Sequence, residues 1–204
     1  MAVMVLDPYL EQQILAERAR SDGEQYDEVW EGVYIVTPLP NNDHQELVFE
    51  FVSILGEVIR RPALGQVFPG VNLSDREEGW KQNFREPDVA VFLRDTKAVN
   101  CGTHWRGAAD FLVEIISPGE RTRDKIPFYG SLGVVELLIV DRDPWTLELY
   151  RRQNGQLDKI GQSTLAASEV LTSQAVGLTF QLLPGEPRPQ IEVTHPTSGR
   201  RWQS

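Results

Sequence analysis

Two carboxylates and a lysine stand among apolar residues: Asp88 in EPDVAVFL, Glu114 in FLVEIIS and Lys125 in RDKIPFYGSL. An isolated ionised carboxylate in a dry core costs far more than one strand can supply, so Glu114 needs a partner. Side chains alternate along a strand, which puts Leu112, Glu114 and Ile116 on one face and Phe111, Val113 and Ile115 on the other. Both faces are apolar except at Glu114, the pattern of an interior strand covered on both sides. Asp88 opens its strand directly after Pro87, which lacks a ladder donor and marks a strand start or edge. Asp after Pro also marks ordinary turns, so taken alone Asp88 reads either way. Lys125 shares a helix face with Phe128, Tyr129 and Leu132 at the spacing i, i+3, i+4, i+7, at the N-terminal end of a packing surface. A snorkelling lysine, or a plain salt bridge to Glu114, is the structural alternative.

Together these groups make a recognisable chemical set. Two carboxylates hold a hard divalent cation such as Mg²⁺, or Mn²⁺ in its place, with waters completing the octahedron. Such an ion neutralises both acids, which accounts for the burial of Glu114. It also acidifies a bound water and stabilises charge developing on a phosphodiester. An ammonium nearby orients that water or steadies the phosphate. The chemistry implied is hydrolysis of a nucleic-acid backbone.

The elements that must position these residues follow from periodicity. DPYLEQQILAERAR reads as a short amphipathic helix with Leu10, Ile14 and Leu15 on one side. VWEGVYIVTPLP reads as two strands turning at Glu31-Gly32. HQELVFEFVSILGEVIR is the longest helical pattern, with Asp43 as its N-cap and Glu46 three residues on, as in a capping box. GQVFPGVNL and EPDVAVFL read as strands, and FLVEIIS follows a loop holding Cys101, His104 and Trp105. The next helix spans KIPFYGSL, with Asp124 as N-cap, Pro127 in the first turn and Gly133 as the stop. VVELLIVD and TLELYRR are strands, and Asn154-Gly155 marks a hairpin. Residues 185–204 are rich in Pro, Ser and Gly and read as a loosely ordered tail. The order fits one α/β (α+β) domain, a mixed sheet flanked by helices.

Composition narrows the function classes. The chain has 204 residues, with 41% hydrophobic and 25% charged, as in an ordinary globular domain. No run of 18 or more uncharged apolar residues occurs, so no membrane partner is expected, and the N-terminus lacks the basic region of a secretory signal. Cys101 is the only cysteine, which fits a reducing cytoplasm, and the three scattered histidines make no zinc motif. The net charge of −10 argues against a passive nucleic-acid coat. It leaves room for an enzyme with a local basic patch.

EPDVAVFL, FLVEIISPGERTRDK, a helix carrying Lys125 and Tyr129, and GVVELLIVD together resemble the Uma2 family of restriction-endonuclease-like proteins. GVYIVTPLPNNDHQELV is similar to that family's N-terminal segment. The resemblance runs over residues 24–184, leaving 1–23 as a helical extension. It implies the restriction endonuclease-like fold of the PD-(D/E)XK nuclease superfamily, Mg²⁺ at the site and DNA as substrate. Carried over, Asp88 and Glu114 are metal ligands, the Ile115 carbonyl is a further ligand, and Lys125 is the catalytic lysine. In the superfamily pattern the lysine lies two residues past the acid on the same strand. Here that position is Ile116, so the lysine has moved to the following helix.

Some superfamily members add a glutamate from the first long helix, for which Glu46 is the candidate. Glu46 shares its helix side with Glu50, Ser53 and Glu57, which favours capping instead. His44 is placed either at the site or as support for the helix N-terminus. Arg121 and Arg123 read as phosphate contacts or, more simply, as solvated loop residues. GVVELLIVD lacks the aromatic pair common in the family, which touches packing more than chemistry. Cutting both strands would call for a homodimer. A catalytically inactive DNA-binding or interaction module on the same fold is the alternative reading.

Overall fold

The computed structural model describes residues 3–20, 26–117 and 121–204. Among them, helices α1 (Pro8–Arg20), α2 (Asn42–Leu55) and α3 (Ile126–Leu132) flank three β-sheets in a mixed α+β architecture. The central sheet has six strands in the order Gln156–Thr164, Trp145–Gln153, Glu136–Arg142, Phe111–Ile116, Val89–Leu93 and Gly65–Pro69. FLVEIIS is thus an interior strand, and all six residues of Phe111–Ile116 are buried.

In that sheet only Phe111–Ile116 and Glu136–Arg142 run parallel; the other neighbours are antiparallel. Parallel neighbours need a crossover. Here a 3₁₀ turn over Thr122–Lys125 running into α3 supplies it. Pro127 falls in the first turn of α3, and Gly133 ends the helix with φ of 99°, a left-handed conformation that glycine adopts without a Cβ penalty. Asp124 does not cap α3 as expected. Its carboxylate accepts from Arg121 Nε at 2.6 Å, and the turn before the helix already satisfies the local backbone.

Each face of the central sheet has its own core. On one face, Leu47, Phe51, Ile54 and Leu55 of α2 pack with Val89, Val91, Phe111, Val113 and Ile115. On the other, Phe128 and Tyr129 of α3 pack with Ala90, Leu112, Ile116, Leu137 and Ile139. Glu114 alternates with Leu112 and Ile116, so it faces α3. The N-cap of α2 is Asn41 rather than Asp43: Asn41 Oδ1 accepts from the His44 N–H at 3.0 Å, so the helix starts early enough to need no capping box.

A seven-stranded sheet supplies the remaining wall of the site. Its hairpin Glu28–Trp30/Val33–Val36 turns at Glu31 and Gly32, both at positive φ, as a tight two-residue turn requires. Val29 pairs with Phe84, which sets Glu28 beside the segment leading into Asp88. α1 forms as expected, but none of its residues is buried, so its apolar side is not a core face. Arg18 anchors it through a bidentate pair with Asp27, which also accepts from Tyr34.

The tail expected to be loose is ordered. Gln190–His195 and Arg200–Gln203 join Leu171–Thr172 and Thr179–Leu183 in a four-stranded antiparallel sheet. Ile191 and Val193 are fully buried beside Phe180 and Leu182, and this alternation outweighs the Pro and Gly content of the flanks. Ending the chain after Pro184 therefore removes two core side chains worth about 1.5–3 kcal/mol each. A fall in Tm of roughly 6 °C or more is expected in thermal unfolding followed by circular dichroism.

Candidate active site

Four carboxylates converge on one cleft of about 290 Å³, with a single lysine among them. Glu114 arrives from its strand, Asp88 from the position just before the neighbouring strand Val89–Leu93, Glu28 from the N-terminal hairpin, Glu86 from the segment before Asp88, and Lys125 from the turn into α3. The sequence-predicted trio is brought together. The Lys125 ammonium lies 3.2 Å and 3.3 Å from the two oxygens of Glu114, although it comes from another element than the Glu114 strand. Tyr129, one helical turn beyond Lys125, donates to Glu114 Oε1 at 2.5 Å.

Asp88 is fixed to the same strand. The Ile115 N–H donates to Asp88 Oδ2 at 2.6 Å, and His44 Nε2 lies 2.9 Å from Asp88 Oδ1. A strand residue directs its N–H and C=O to the same side, so the Ile115 carbonyl also faces the Asp88 side. His44 serves both roles weighed for it: its N–H meets the Asn41 cap and its ring meets Asp88. Ser117 Oγ lies 3.3 Å from His44 Nδ1, and Arg142 donates to Ser117 Oγ, to the Ile116 carbonyl and to Asn41. Glu46 does not line the cleft. It is exposed, and its carboxylate meets Arg188 at 3.4 Å.

Sequence reasoning missed Glu28 and Glu86. Glu28 is buried, and its Oε1 lies 2.8 Å from Lys125 Nζ. Glu28 also accepts from the Glu86 N–H at 2.7 Å and from Trp30 Nε1 at 2.6 Å. Glu86 packs its carboxylate against Gly70, where an added Cβ would stand 2.7 Å from Oε1. Arg121 lines the cleft, with its guanidinium 5.8 Å from the Trp30 ring centre, while Arg123 pairs with Asp141 and Glu148 away from it.

The electrostatics follow from crowding acids in a poorly solvated cleft. Burial pushes the Glu114 carboxyl well above the usual range, Lys125 opposes this, and the charges of Asp88 and Glu28 add to it. Lys125 is held firmly protonated, because the attraction of Glu114 and Glu28 outweighs its burial. Glu86 is pushed up to about 7, chiefly by burial and then by Glu28. A carboxyl raised in the folded state takes up its proton on folding, so stability is lost as pH rises from the ordinary carboxylate range to about 7. In cation-free buffer Tm is expected to fall over that window, and Glu86→Gln to flatten the fall, as read by thermal melts between pH 4.5 and 8.

The donor set is all oxygen and rich in negative charge, which fits a hard divalent cation. Among the described residues no three His, Cys, Asp or Glu side chains form a ready-made cage.

The mixed sheet with helices on both faces is a fold shared with a solved structure. The protein is similar to a chain described as "a putative nuclease belonging to DUF820 from Anabaena variabilis ATCC 29413". The TM-score is 0.57 at 20% identity, over 74% of this chain and 82% of that one, a likeness of fold. The sequence matches the Uma2 family, described as "Putative restriction endonuclease", over residues 9–184, and the chain belongs to that family. No curated protein matches it. Among the described residues no helix is long and apolar enough to cross a membrane.

Proposed function

We propose that this protein is a divalent-cation-dependent endonuclease that hydrolyses DNA phosphodiester bonds. The observation that carries the reading is Lys125 Nζ within 3.3 Å of both Glu114 oxygens while Asp88 is hydrogen-bonded to the next residue of the same strand. The family description and the nuclease likeness support it. Asp88, Glu114 and the Ile115 carbonyl would hold Mg²⁺ or Mn²⁺. Bound there, the cation supplies positive charge that acidifies a nearby water and offsets charge developing on the phosphate.

The chain's own residues do the rest. Glu114 is held by the Tyr129 hydroxyl, and Asp88 by His44 and the Ile115 N–H, so neither carboxylate needs to reorganise. The Lys125 ammonium donates a hydrogen bond to the attacking water or to a phosphate oxygen. Water oxygen bonds to phosphorus, the bond from phosphorus to the leaving sugar oxygen breaks, and that oxygen gains a proton.

One feature favours a second reading, a non-catalytic module of the same fold. The net charge is −10, and affinity for phosphates comes mainly from Lys and Arg. Incubation with an end-labelled DNA duplex separates the two readings. Shorter products are expected with Mg²⁺ or Mn²⁺ and none in EDTA. An intact duplex with both ions would leave the non-catalytic module.

A further inference from the structure

A lysine carried on a helical turn, rather than on the acid's own strand, must be aimed by something other than the strand. Its four-carbon stem is flexible and loses rotamer freedom when the ammonium is fixed. The shortest contact of the Lys125 ammonium is to Glu28 Oε1 at 2.8 Å, against 3.2 Å to the nearer Glu114 oxygen. Glu28 is itself immobilised. Its side chain is 3% exposed, Oε1 also accepts the Glu86 N–H, and Oε2 accepts the Trp30 indole N–H.

We propose that Glu28 is the positioning residue of this site, holding the Lys125 ammonium beside Glu114 so that Glu114 can give its charge to a cation without releasing the lysine. The inference rests on the nuclease reading and assigns Glu28 neither a cation nor a phosphate. Glu28 is delivered by the N-terminal hairpin, whose pairing through Val29 and Phe84 ties it to the segment that carries Glu86 and Asp88. The hairpin thus does for Lys125 what the strand does for a lysine two residues past the acid.

Outer groups that orient reacting ones are worth roughly 10–100-fold when removed. Glu28→Gln is therefore expected to lower kcat by about that factor at saturating Mn²⁺, with KM for DNA and the Kd for Mn²⁺ by calorimetry changed less than twofold. Trp30→Phe, which removes only the indole N–H that fixes Glu28, is expected to give a smaller loss of the same kind and covers the case in which Glu28→Gln fails to fold. A readout free of catalysis is the ¹⁵N-resolved side-chain ammonium signal of Lys125, assigned by its loss in Lys125→Arg. It is expected to be protected from exchange in the wild type and broadened away in Glu28→Gln. An unchanged kcat, an unchanged ammonium signal, or a loss of Mn²⁺ affinity of tenfold or more would each overturn the assignment. If the wild type cleaves no DNA the nuclease reading fails, and the ammonium signal alone decides whether Glu28 holds Lys125.

Discussion

Lys125→Met is expected to destabilise the cation-free protein by about 3–5 kcal/mol well above pH 8, because it leaves two buried carboxylates facing each other without their shared cation. The side chains of Glu28 and Glu114 are each only 3% exposed, and Lys125 is within 3.3 Å of both. Methionine preserves most of the stem volume, so little of the loss reflects packing. The sign with pH is fixed by Glu114, which burial already pushes toward its protonated form. At low pH Glu114 accepts a proton, repulsion with Glu28 is relieved, and the difference from wild type shrinks. Thermal melts in EDTA at pH 6 and pH 9.5 check this, since Glu114 is pushed up to about 8 even with Lys125 beside it. Equal Tm values for variant and wild type at pH 9.5 would mean that the ammonium is not what makes the acids tolerable.

Glu114→Gln separates the fold from the chemistry more sharply. The amide has the shape of the carboxylate and can accept from the Tyr129 hydroxyl, while Lys125 keeps Glu28. Removing a buried charge whose carboxyl is already pushed upward is expected to leave Tm unchanged or raised. DNA cleavage is expected to fall by a factor on the order of 10³ or more, the scale on which central members of a catalytic set act. A variant that is both stable and inactive would place the role of Glu114 in chemistry. A stable variant with wild-type cleavage would return Glu114 to a structural salt bridge.

Much of this was legible in the sequence because burial and alternation leave strong local traces. FLVEIIS read as an interior strand since both of its faces are apolar, and the helical spacing of Lys125, Phe128 and Tyr129 put the lysine on the face that meets Glu114. Glu28 and Glu86 left no such trace. Glu28 heads a hairpin strand in which a carboxylate looks solvated, and its burial depends on a pairing across more than fifty residues, Val29 with Phe84. Glu86 stands just before Pro87-Asp88, and no local pattern marks it as buried. What hid both was long-range sheet topology, which no local pattern encodes.

Capping failed for a different reason. Asn41, Asn42 and Asp43 are all competent N-caps, and the contact of His44 with Asp88 sits beside the choice of Asn41. The C-terminal strands were masked by Pro, Ser and Gly in the turns between them, although Ile191 and Val193 alternate as a buried strand should.

The central claim is that Asp88, Glu114 and Lys125 form one cation-dependent hydrolytic site. The most direct measurement is the rate of supercoiled plasmid cleavage in Mg²⁺ or Mn²⁺, compared with EDTA, by the wild type, Asp88→Asn, Glu114→Gln and Lys125→Met. Cleavage by the wild type that requires the cation, and falls to background in all three variants, is the result predicted. Cleavage that persists in all three variants, or no cleavage by the wild type with either ion, would contradict it.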